Sequence, residues 1–278
     1  MKDQELKRLI EKYKLSEDEH DKILEILKKE LFKGKTSEDE PSMMFVIGQP
    51  GSGKTTFIEK SDLSKYTIIN SDNYRKYNKY SKEILDKYPI YYAKLTNYDA
   101  HLLGDELFLY AVSNKYSVLR EKAPTDFSLL GLLKLLNPYE YEVIINVIVT
   151  GNLTSLLATR ERYEKEILES NTAKLSNIEA HNKCYQILPE FIGKCIKFGL
   201  HVNYIIPTED SFKIIPVRED YLKLLENLRE ESNKETLINY ENRIQEIKMK
   251  MIKRNAPQDQ FDELDKIDNI YLNIKNNK

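Results

Sequence analysis

The sequence is poor in the residues that build secreted or membrane-bound proteins. Cys184 and Cys195 are the only cysteines among 278 residues, too few for a disulfide framework or a zinc site built from cysteines. No apolar run reaches the roughly 18 residues that a membrane helix needs, and the polar segment Met1–Glu5 does not resemble a signal peptide. We therefore expect a cytoplasmic protein without a membrane partner, with both cysteines on buried helix faces.

An excess of charge of one sign is also lacking. The chain has 43 Lys and Arg residues against 45 Asp and Glu residues, which leaves a formal net charge of −2. This balance offers no overall attraction for nucleic acid, so a nucleic-acid partner is not expected. A balanced net charge is still compatible with a local basic stripe on the surface. The candidates for such a stripe are few: Lys65, Arg75, Lys76 and Lys79.

Histidine is scarce, and its four positions do not indicate a catalytic or metal site. They show neither metal-ligand spacing nor a Ser-His-Asp arrangement, which disfavours a hydrolase. His181, followed by Asn182 in a helical stretch, is interpreted as a structural residue or as part of lid packing.

Short apolar runs alternate with helical stretches along the chain. The apolar runs are Met43–Ile47, Tyr66–Ile69, Tyr116–Leu119, Val143–Thr150, His201–Ile206 and Phe212–Val217. The helical stretches are Asn97–Asn114, Thr125–Leu136, Leu153–Ser170 and Ile178–Phe198. This alternation predicts an α/β fold with a doubly wound parallel sheet, in which ligands bind at the carboxyl ends of the strands.

The chain divides into three regions. Residues 1–40 are N-terminal helices and a linker, residues 41–218 are the α/β domain, and residues 219–278 are a charged helical extension. Ser16 and Glu19 are typical of a capping box that begins a second N-terminal helix. Pro257 separates a last short helix near Phe261–Leu272. We expect these terminal helices to pack on their own domain, with contact to a partner protein or a second copy as the alternative.

Glycine is rare, yet three of the nine glycines fall within residues 48–53. The run Gly48-Gln49-Pro50-Gly51-Ser52-Gly53-Lys54-Thr55 fills the pattern G-x-x-x-x-G-K-[ST] between a predicted strand and a helix. Such a loop turns its backbone N–H groups towards phosphate oxygens. We expect it, with Thr56, to bind ATP or GTP in a P-loop NTPase-like fold, Lys54 reaching the β- and γ-phosphates and Thr55 ligating Mg²⁺.

A kinase also needs a group that accepts the proton of the acceptor hydroxyl, and Asp72 is the best candidate. It follows the strand Thr67–Asn70, which we expect beside the loop strand, so its carboxylate would face the γ-phosphate. The alternative is that Asp72 caps the helix that follows, although Ser71 could do this instead.

Three more acidic residues are candidates at the same edge of the sheet. Glu121 ends the third strand, where it could bind an acceptor hydroxyl or help to hold Mg²⁺. Asp105 and Glu106 lie on the preceding helix. Each of the three, taken alone, is more often a surface carboxylate.

Arg162 is a candidate for stabilising transition-state charge. It lies in the run Arg160–Glu164, on a helix face set by Leu157 and Ala158, and an arginine in that role is worth about 10³ to 10⁵ in rate. The alternative is a solvated helix with Arg–Glu pairs. Thr150 stands where a motor ATPase or GTPase would have a Walker-B aspartate, which favours a small-molecule kinase.

With these residues assembled, the sequence resembles the zeta toxin family, the kinase halves of bacterial toxin–antitoxin pairs, from about Leu15 to Val217. The matching pieces are Val46–Thr56, Ile68–Arg75, Glu161–Glu164, and Asn171–Lys174 followed by Glu179–Asn182. The resemblance implies a kinase that uses ATP or GTP and Mg²⁺ to phosphorylate the 3′-hydroxyl of the amino sugar in UDP-N-acetylglucosamine. It further implies a block of peptidoglycan precursor synthesis and a small helical antitoxin as partner.

The resemblance also implies residue roles: Asp72 as general base, Lys54 as phosphate lysine, Arg162 as transition-state arginine, and Glu121, Asp105 and Asp72 as acceptor contacts. Two positions depart from the family pattern. Lys174 stands where the family has a second lid arginine, and it can act only as a point charge. The family's Glu-Gly-Thr is Glu121-Lys122-Ala123 here, which bears on the identity of the acceptor.

Two alternatives to this function stay open. One is a P-loop kinase that acts on another small-molecule or nucleic-acid hydroxyl group. The other is a nucleotide-binding module without turnover. The intact Lys54, Thr55 and Asp72 argue against the second alternative, whereas the altered segment 121–123 and Lys174 argue for it.

Overall fold

The computed structural model describes residues 3–88, 91–136, 141–170, 173 and 175–276, and a six-stranded sheet forms its centre. The strands are β1 (Ser42–Ile47), β2 (Thr67–Ile69), β3 (Val118–Lys122), β4 (Glu142–Ile148), β5 (His201–Pro207) and β6 (Phe212–Pro216). Their order is β2-β3-β1-β4-β5-β6. All neighbouring pairs are parallel except β5 and β6. This sheet confirms the predicted α/β fold.

Helices cover the sheet. They are α1 (Asp3–Tyr13), α2 (Glu17–Leu31), α3 (Lys54–Lys60), α4 (Ser81–Lys87), α5 (Tyr92–Ser113), α6 (Ser128–Leu136), α7 (Asn152–Ser170), α8 (Ile178–Lys197), α9 (Tyr221–Lys253) and α10 (Gln258–Asn276), with a 3₁₀ helix at Ser71–Tyr77. The last helix is longer than the sequence indicated. No helix in the described ranges is long and apolar enough to cross a membrane.

The strand order corrects one expectation. β3 lies between β1 and β2, so the strand that precedes Asp72 is not beside the loop strand. Val46 of β1 is instead the register partner of Glu121 of β3. The carboxylate nearest to the loop strand is therefore that of Glu121.

The main core lies where the sheet meets the helices on one of its faces. Met43, Phe45 and Ile145 are fully buried beside Leu107 of α5 and Phe191 of α8. β1 is buried along its whole length, because helices cover both faces of a parallel sheet. This packing fixes the carboxyl ends of β1, β3 and β4, where the site lies.

A second core joins the C-terminal helices to α7. Leu153 and Leu157 of α7 pack with Ile244 of α9 and Leu264 of α10, and the rings of Tyr240 and Tyr271 stack at 3.8 Å. The extension thus packs on its own α/β domain along α7.

The N-terminal helices pack on α5. The His20 ring and the Glu106 carboxylate lie 2.7 Å apart, and the backbone N–H of Leu15 donates to Asp99. Ser16 caps α2, and its own N–H donates to the Glu19 carboxylate at 3.0 Å. Glu106 is therefore engaged with α2.

Candidate active site

The loop between β1 and α3 is shaped by glycines. Gly51 has a φ of +76° and Gly53 a φ of +96°, values that other residues rarely adopt. A Cβ on Gly51 would also come within 2.0 Å of the carbonyl oxygen of Ser155. The loop is thus seated against α7, and an alanine at position 51 would push the two apart.

Lys54 holds its ammonium group inside this loop. Its side chain is buried, and Nζ donates to the carbonyl oxygens of Gly48 at 2.9 Å and Gln49 at 3.0 Å. Nζ also lies 3.8 Å from Oε1 of Glu121. A positive charge is therefore fixed at the centre of the loop, beside one carboxylate.

Thr55 and Glu121 bring two oxygen atoms together at the mouth of the loop. Oγ1 of Thr55 donates to Oε2 of Glu121 at 3.4 Å. Within the described residues, no group of three or more His, Cys, Asp or Glu side chains could hold a metal ion. Any metal here would take most of its ligands from phosphate and water, as Mg²⁺ usually does.

Thr150, at the end of β4, supports the loop. Its Oγ1 donates to the carbonyl oxygen of Ser52 at 3.0 Å, and its own carbonyl accepts from Nε2 of Gln49 at 2.9 Å. The carboxylate beside Thr55 comes from β3 instead, through Glu121. The strand on the opposite side of β1 thus supplies the acidic group that is absent from β4.

A buried polar chain connects the loop to α8. Nε2 of Gln49 donates to Oγ of Ser155 at 3.2 Å, and this hydroxyl lies 2.8 Å from Nε2 of His181. Burial lowers the pKa of His181 to about 4, so its ring is neutral at pH 7. The side chain of Gln49 is therefore committed to supporting the loop.

Asp72 is held by a buried arginine. Nε and Nη2 of Arg75 both donate to Oδ1 of Asp72, at 3.0 and 2.6 Å. The guanidinium also donates to the carbonyl of Ala93, to Thr96 Oγ1 and to Asn97 Oδ1. Arg75 therefore fixes the Asp72 carboxylate against α5, and it is not available for a surface basic stripe.

The cap of the 3₁₀ helix differs from both predicted candidates. The side chain of Asn70 accepts from the backbone N–H of Asp72 at 3.0 Å. Neither Asp72 nor Ser71 therefore provides the N-cap. Asn70 takes this position because its side-chain oxygen mimics a backbone carbonyl in such turns, which leaves the Asp72 carboxylate to Arg75.

Asp105 pairs with a strand residue that the sequence did not single out. Its Oδ1 accepts from Nη2 of Arg120 at 2.8 Å, and Arg120 is buried with its guanidinium 4.8 Å from the ring centroid of Phe108. The Asp105 side chain itself is 61% exposed. Its carboxylate therefore links α5 to β3 while remaining exposed to solvent.

Arg162 lies on the loop-facing side of α7. Ser155 and Thr159, the two α7 residues that contact Gly51, precede Arg162 by seven and three positions, which is one helix face. Leu157 points into the C-terminal core, so it does not share that face as we expected. Arg162 is half-exposed and lies 3.6 Å from Glu166 and 3.5 Å from Ser176 Oγ.

The other charges of this motif bind the C-terminal helices, not solvent. Arg160 pairs with Glu263, Glu161 with Arg243 and Glu164 with Arg254, at 2.7, 2.6 and 2.6 Å. The alternative of a solvated helix is therefore wrong for these three residues. Their contacts hold α7 between the sheet and the extension.

The predicted lid includes residues on both sides of the start of α8. Lys174, with Asn171 and Thr172, lies outside the described residues. Tyr88 and Tyr92, from a tyrosine-rich segment of the chain, pack with Tyr13 of α1 and belong to the N-terminal core.

Two further basic residues, Lys122 of β3 and His101 of α5, lie close to Arg120 and Arg75 and were not singled out by the sequence. The pKa of Lys122, on β3, is lowered to about 8, first by burial and then by the charge of Arg120. The pKa of His101, on α5, is also lowered, first by partial desolvation of its ring and then by the charges of Lys122 and Arg75. Lys122 could have been recognised because it directly follows Arg120 and Glu121 at the end of a predicted strand. His101 could have been recognised because it precedes Asp105 by four residues on the same predicted helix.

A glycine-bounded loop that holds a lysine and a threonine beside a strand carboxylate is the arrangement of the P-loop class of α/β proteins. A sequence model of the Zeta toxin family matches residues 28–214, and the chain belongs to this family. It is 25% identical over 193 residues to Toxin zeta of Enterococcus hirae, covering 66% of each chain. It is 28% identical over 157 residues to Toxin PezT of Streptococcus pneumoniae serotype 4, covering 55% of this chain and 62% of that protein. The chain thus spans about two thirds of the length of these curated relatives.

Solved structures have the same fold. The PezAT chromosomal toxin–antitoxin system of Streptococcus pneumoniae matches with a TM-score of 0.69 and 23% identity, over 84% of this chain and 98% of that chain. The AvrRxo1-ORF1:AvrRxo1-ORF2 complex with ATP matches with a TM-score of 0.54 and 13% identity, over 76% of this chain and 71% of that chain. At these identities the likeness shows the fold alone.

Proposed function

We propose that this chain is a kinase that transfers the γ-phosphoryl group of ATP or GTP to the 3′-hydroxyl of the amino sugar in UDP-N-acetylglucosamine. The observation that carries the proposal is the pair of groups at the carboxyl edge of the sheet. Lys54, Thr55 and Glu121 form one group, and Asp72 with Arg75 forms the other. The first suits a magnesium triphosphate, and the second suits a hydroxyl group that must lose its proton.

The donor side fits a triphosphate and Mg²⁺ by the chemistry of its atoms. Neighbouring ligands of octahedral Mg²⁺ lie about 3 Å apart, and Oγ1 of Thr55 and Oε2 of Glu121 are 3.4 Å apart. The buried hydroxyl of Ser52 has no hydrogen-bond partner among the described residues. The ion, when bound, would neutralise the β- and γ-phosphate oxygens. When a nucleotide binds, the Lys54 ammonium group would donate to phosphate oxygens in place of the carbonyl oxygens of Gly48 and Gln49.

On the acceptor side, Asp72 is the proposed general base. As the acceptor oxygen forms its bond to the γ-phosphorus, the hydroxyl proton would pass to the Asp72 carboxylate and the γ-phosphorus–oxygen bond to the leaving diphosphate would break. Arg75, buried against α5, would hold that carboxylate in position. Arg162 and Lys174 would stabilise the negative charge that develops on the transferred phosphoryl group. Glu121 and Asp105 would make the remaining contacts with the acceptor or the metal.

The cellular consequence follows from the acceptor. Phosphorylation of UDP-N-acetylglucosamine would withdraw it from cell-wall precursor synthesis. A small antitoxin protein is the proposed partner, because the similar PezAT structure is by its name that of a toxin–antitoxin system. The ATP-bound AvrRxo1-ORF1:AvrRxo1-ORF2 complex supports ATP as donor.

The proposal is tested by incubating the protein with ATP, Mg²⁺ and UDP-N-acetylglucosamine and recording the mass spectrum of the sugar nucleotide. We expect a gain of one phosphate group and one equivalent of ADP. If ATP binds and UDP-N-acetylglucosamine stays unmodified while another hydroxyl compound is phosphorylated, the acceptor is wrong and the kinase assignment stands. Binding of ATP with no turnover of any acceptor would favour a module without catalysis.

A further inference from the structure

Two basic side chains, those of His101 and Lys122, lie near two ion pairs in the space between α5 and the end of β3, which we call the acceptor cleft. On α5, Asn97, His101 and Asp105 are spaced by four residues, so they lie on one face about 6 Å apart along the axis. Asn97 accepts from Arg75, which holds Asp72. Asp105 accepts from Arg120. His101 is therefore one helical turn from each ion pair.

Lys122 faces the same cleft from the strand side. Successive side chains of a strand alternate between its two faces, so Lys122 shares a face with Arg120, opposite Glu121. Arg120 points to Asp105 of α5, whereas Glu121 points to Lys54. The Lys122 ammonium thus belongs to the acceptor side of the sheet edge, not to the phosphate loop.

The carboxylates in this cleft are already engaged by arginines. Oδ1 of Asp72 accepts from Arg75 and Oδ1 of Asp105 from Arg120. Within the ranges that the structure describes, no hydrogen bond or ion pair involves the Lys122 ammonium or the His101 ring. The two ion pairs are neutral, so Lys122 leaves the cleft with one uncompensated positive charge.

The electrostatics agree with this placement. Burial and the charge of Arg120 lower the pKa of Lys122, and the charges of Lys122 and Arg75 lower that of His101. Asp105 acts in the opposite direction on both. A partly buried ammonium group with no partner carries a desolvation cost, and an anion bound beside it would offset that cost.

We propose that Lys122 and His101 form an anion subsite that receives the phosphate group of a phosphate-bearing acceptor. This inference rests on the proposed kinase function, since it concerns the acceptor side of the same site. Lys122 supplies the charge, and the neutral His101 ring supplies a hydrogen-bond donor. The subsite selects acceptors that already carry phosphate, such as a nucleotide sugar, over neutral sugars.

The test measures binding of UDP and uridine by calorimetry, with the phosphate loop saturated by Mg²⁺ and a non-hydrolysable ATP analogue. We expect UDP to bind the unaltered protein more tightly than uridine. Lys122→Gln should weaken UDP binding about tenfold or more, the worth of one charged contact, and leave uridine unchanged. Lys266→Gln, which alters an exposed lysine of α10, is the matched control.

A chemical readout gives an independent check. Acylation of the Lys122 amine by an amine-specific reagent is followed by mass spectrometry, with Lys266 as the reference lysine. Saturating UDP should slow that reaction, and uridine should not.

The outcomes separate this inference from the function on which it rests. Equal binding of UDP and uridine, or unaltered UDP affinity in Lys122→Gln, overturns the subsite even if UDP-N-acetylglucosamine is phosphorylated. A Lys122-dependent UDP affinity without phosphorylation of UDP-N-acetylglucosamine supports the subsite and overturns the proposed acceptor.

Discussion

The pairing of Glu164 with Arg254 gives a prediction whose size can be worked from the structure. The Glu164 side chain is 2% exposed and accepts from Nε and Nη2 of Arg254 at 2.7 and 2.6 Å. Arg254→Ala would leave this carboxylate buried without its cation. Breaking one partner of such a buried pair costs about 3–5 kcal/mol, against a total stability of roughly 5–15 kcal/mol for a domain.

The assay is urea unfolding followed by circular dichroism. We expect Arg254→Ala to lower the free energy of unfolding by about 3–5 kcal/mol, whereas Lys253→Ala, at the exposed neighbouring residue, should change it by less than about 0.5 kcal/mol. Combining Arg254→Ala with Glu164→Gln should cost less than the sum of the single changes, because the stranded charge is gone. Strict additivity, or a loss below about 1 kcal/mol in Arg254→Ala, would refute the reasoning.

Three further predictions concern the site. Asp72→Asn should lower kcat at least about 100-fold while the Kd for ATP, measured by calorimetry, changes less than about twofold; retained turnover would remove Asp72 as base. Glu121→Gln should raise the Mg²⁺ concentration needed for half-maximal rate by roughly tenfold, whereas the control Glu59→Gln should leave it unchanged. An unaltered Mg²⁺ requirement in Glu121→Gln would show that Glu121 does not contribute to metal binding. Because burial lowers the pKa of His181 to about 4, the unfolded chain takes up a proton below about pH 6.5 that the folded chain resists. Unfolding free energy should therefore fall by roughly 2–3 kcal/mol between pH 7 and 4.5, and a similar acid dependence in His181→Gln would contradict this.

The fold and the phosphate loop could be predicted because their signals are local. A buried strand, a glycine turn and a helix follow each other within residues 42–60, and each leaves its pattern in consecutive residues. The order of the strands is not local. The sequence offered no reason for β3 to enter between β1 and β2, and this insertion is what puts Glu121 beside Thr55.

Partners distant in sequence explain the other differences. Arg75 looked like a surface charge, yet it is buried because α5 surrounds its guanidinium with acceptors. Arg160 and Glu164 looked solvated, yet the extension supplies Glu263 and Arg254 as partners. Charge patterns within one helix cannot reveal such contacts, since the partner lies 90 or more residues away.

The most direct measurement is phosphorus NMR of the sugar nucleotide formed from Mg²⁺, ATP and UDP-N-acetylglucosamine, with the unaltered protein and with Asp72→Asn. A new phosphomonoester signal coupled to the proton on carbon 3 of the amino sugar, present only with the unaltered protein, is the predicted result. A phosphate on any other position, or equal product from both proteins, would contradict the account of a hydroxyl group activated by Asp72 beside the phosphate loop.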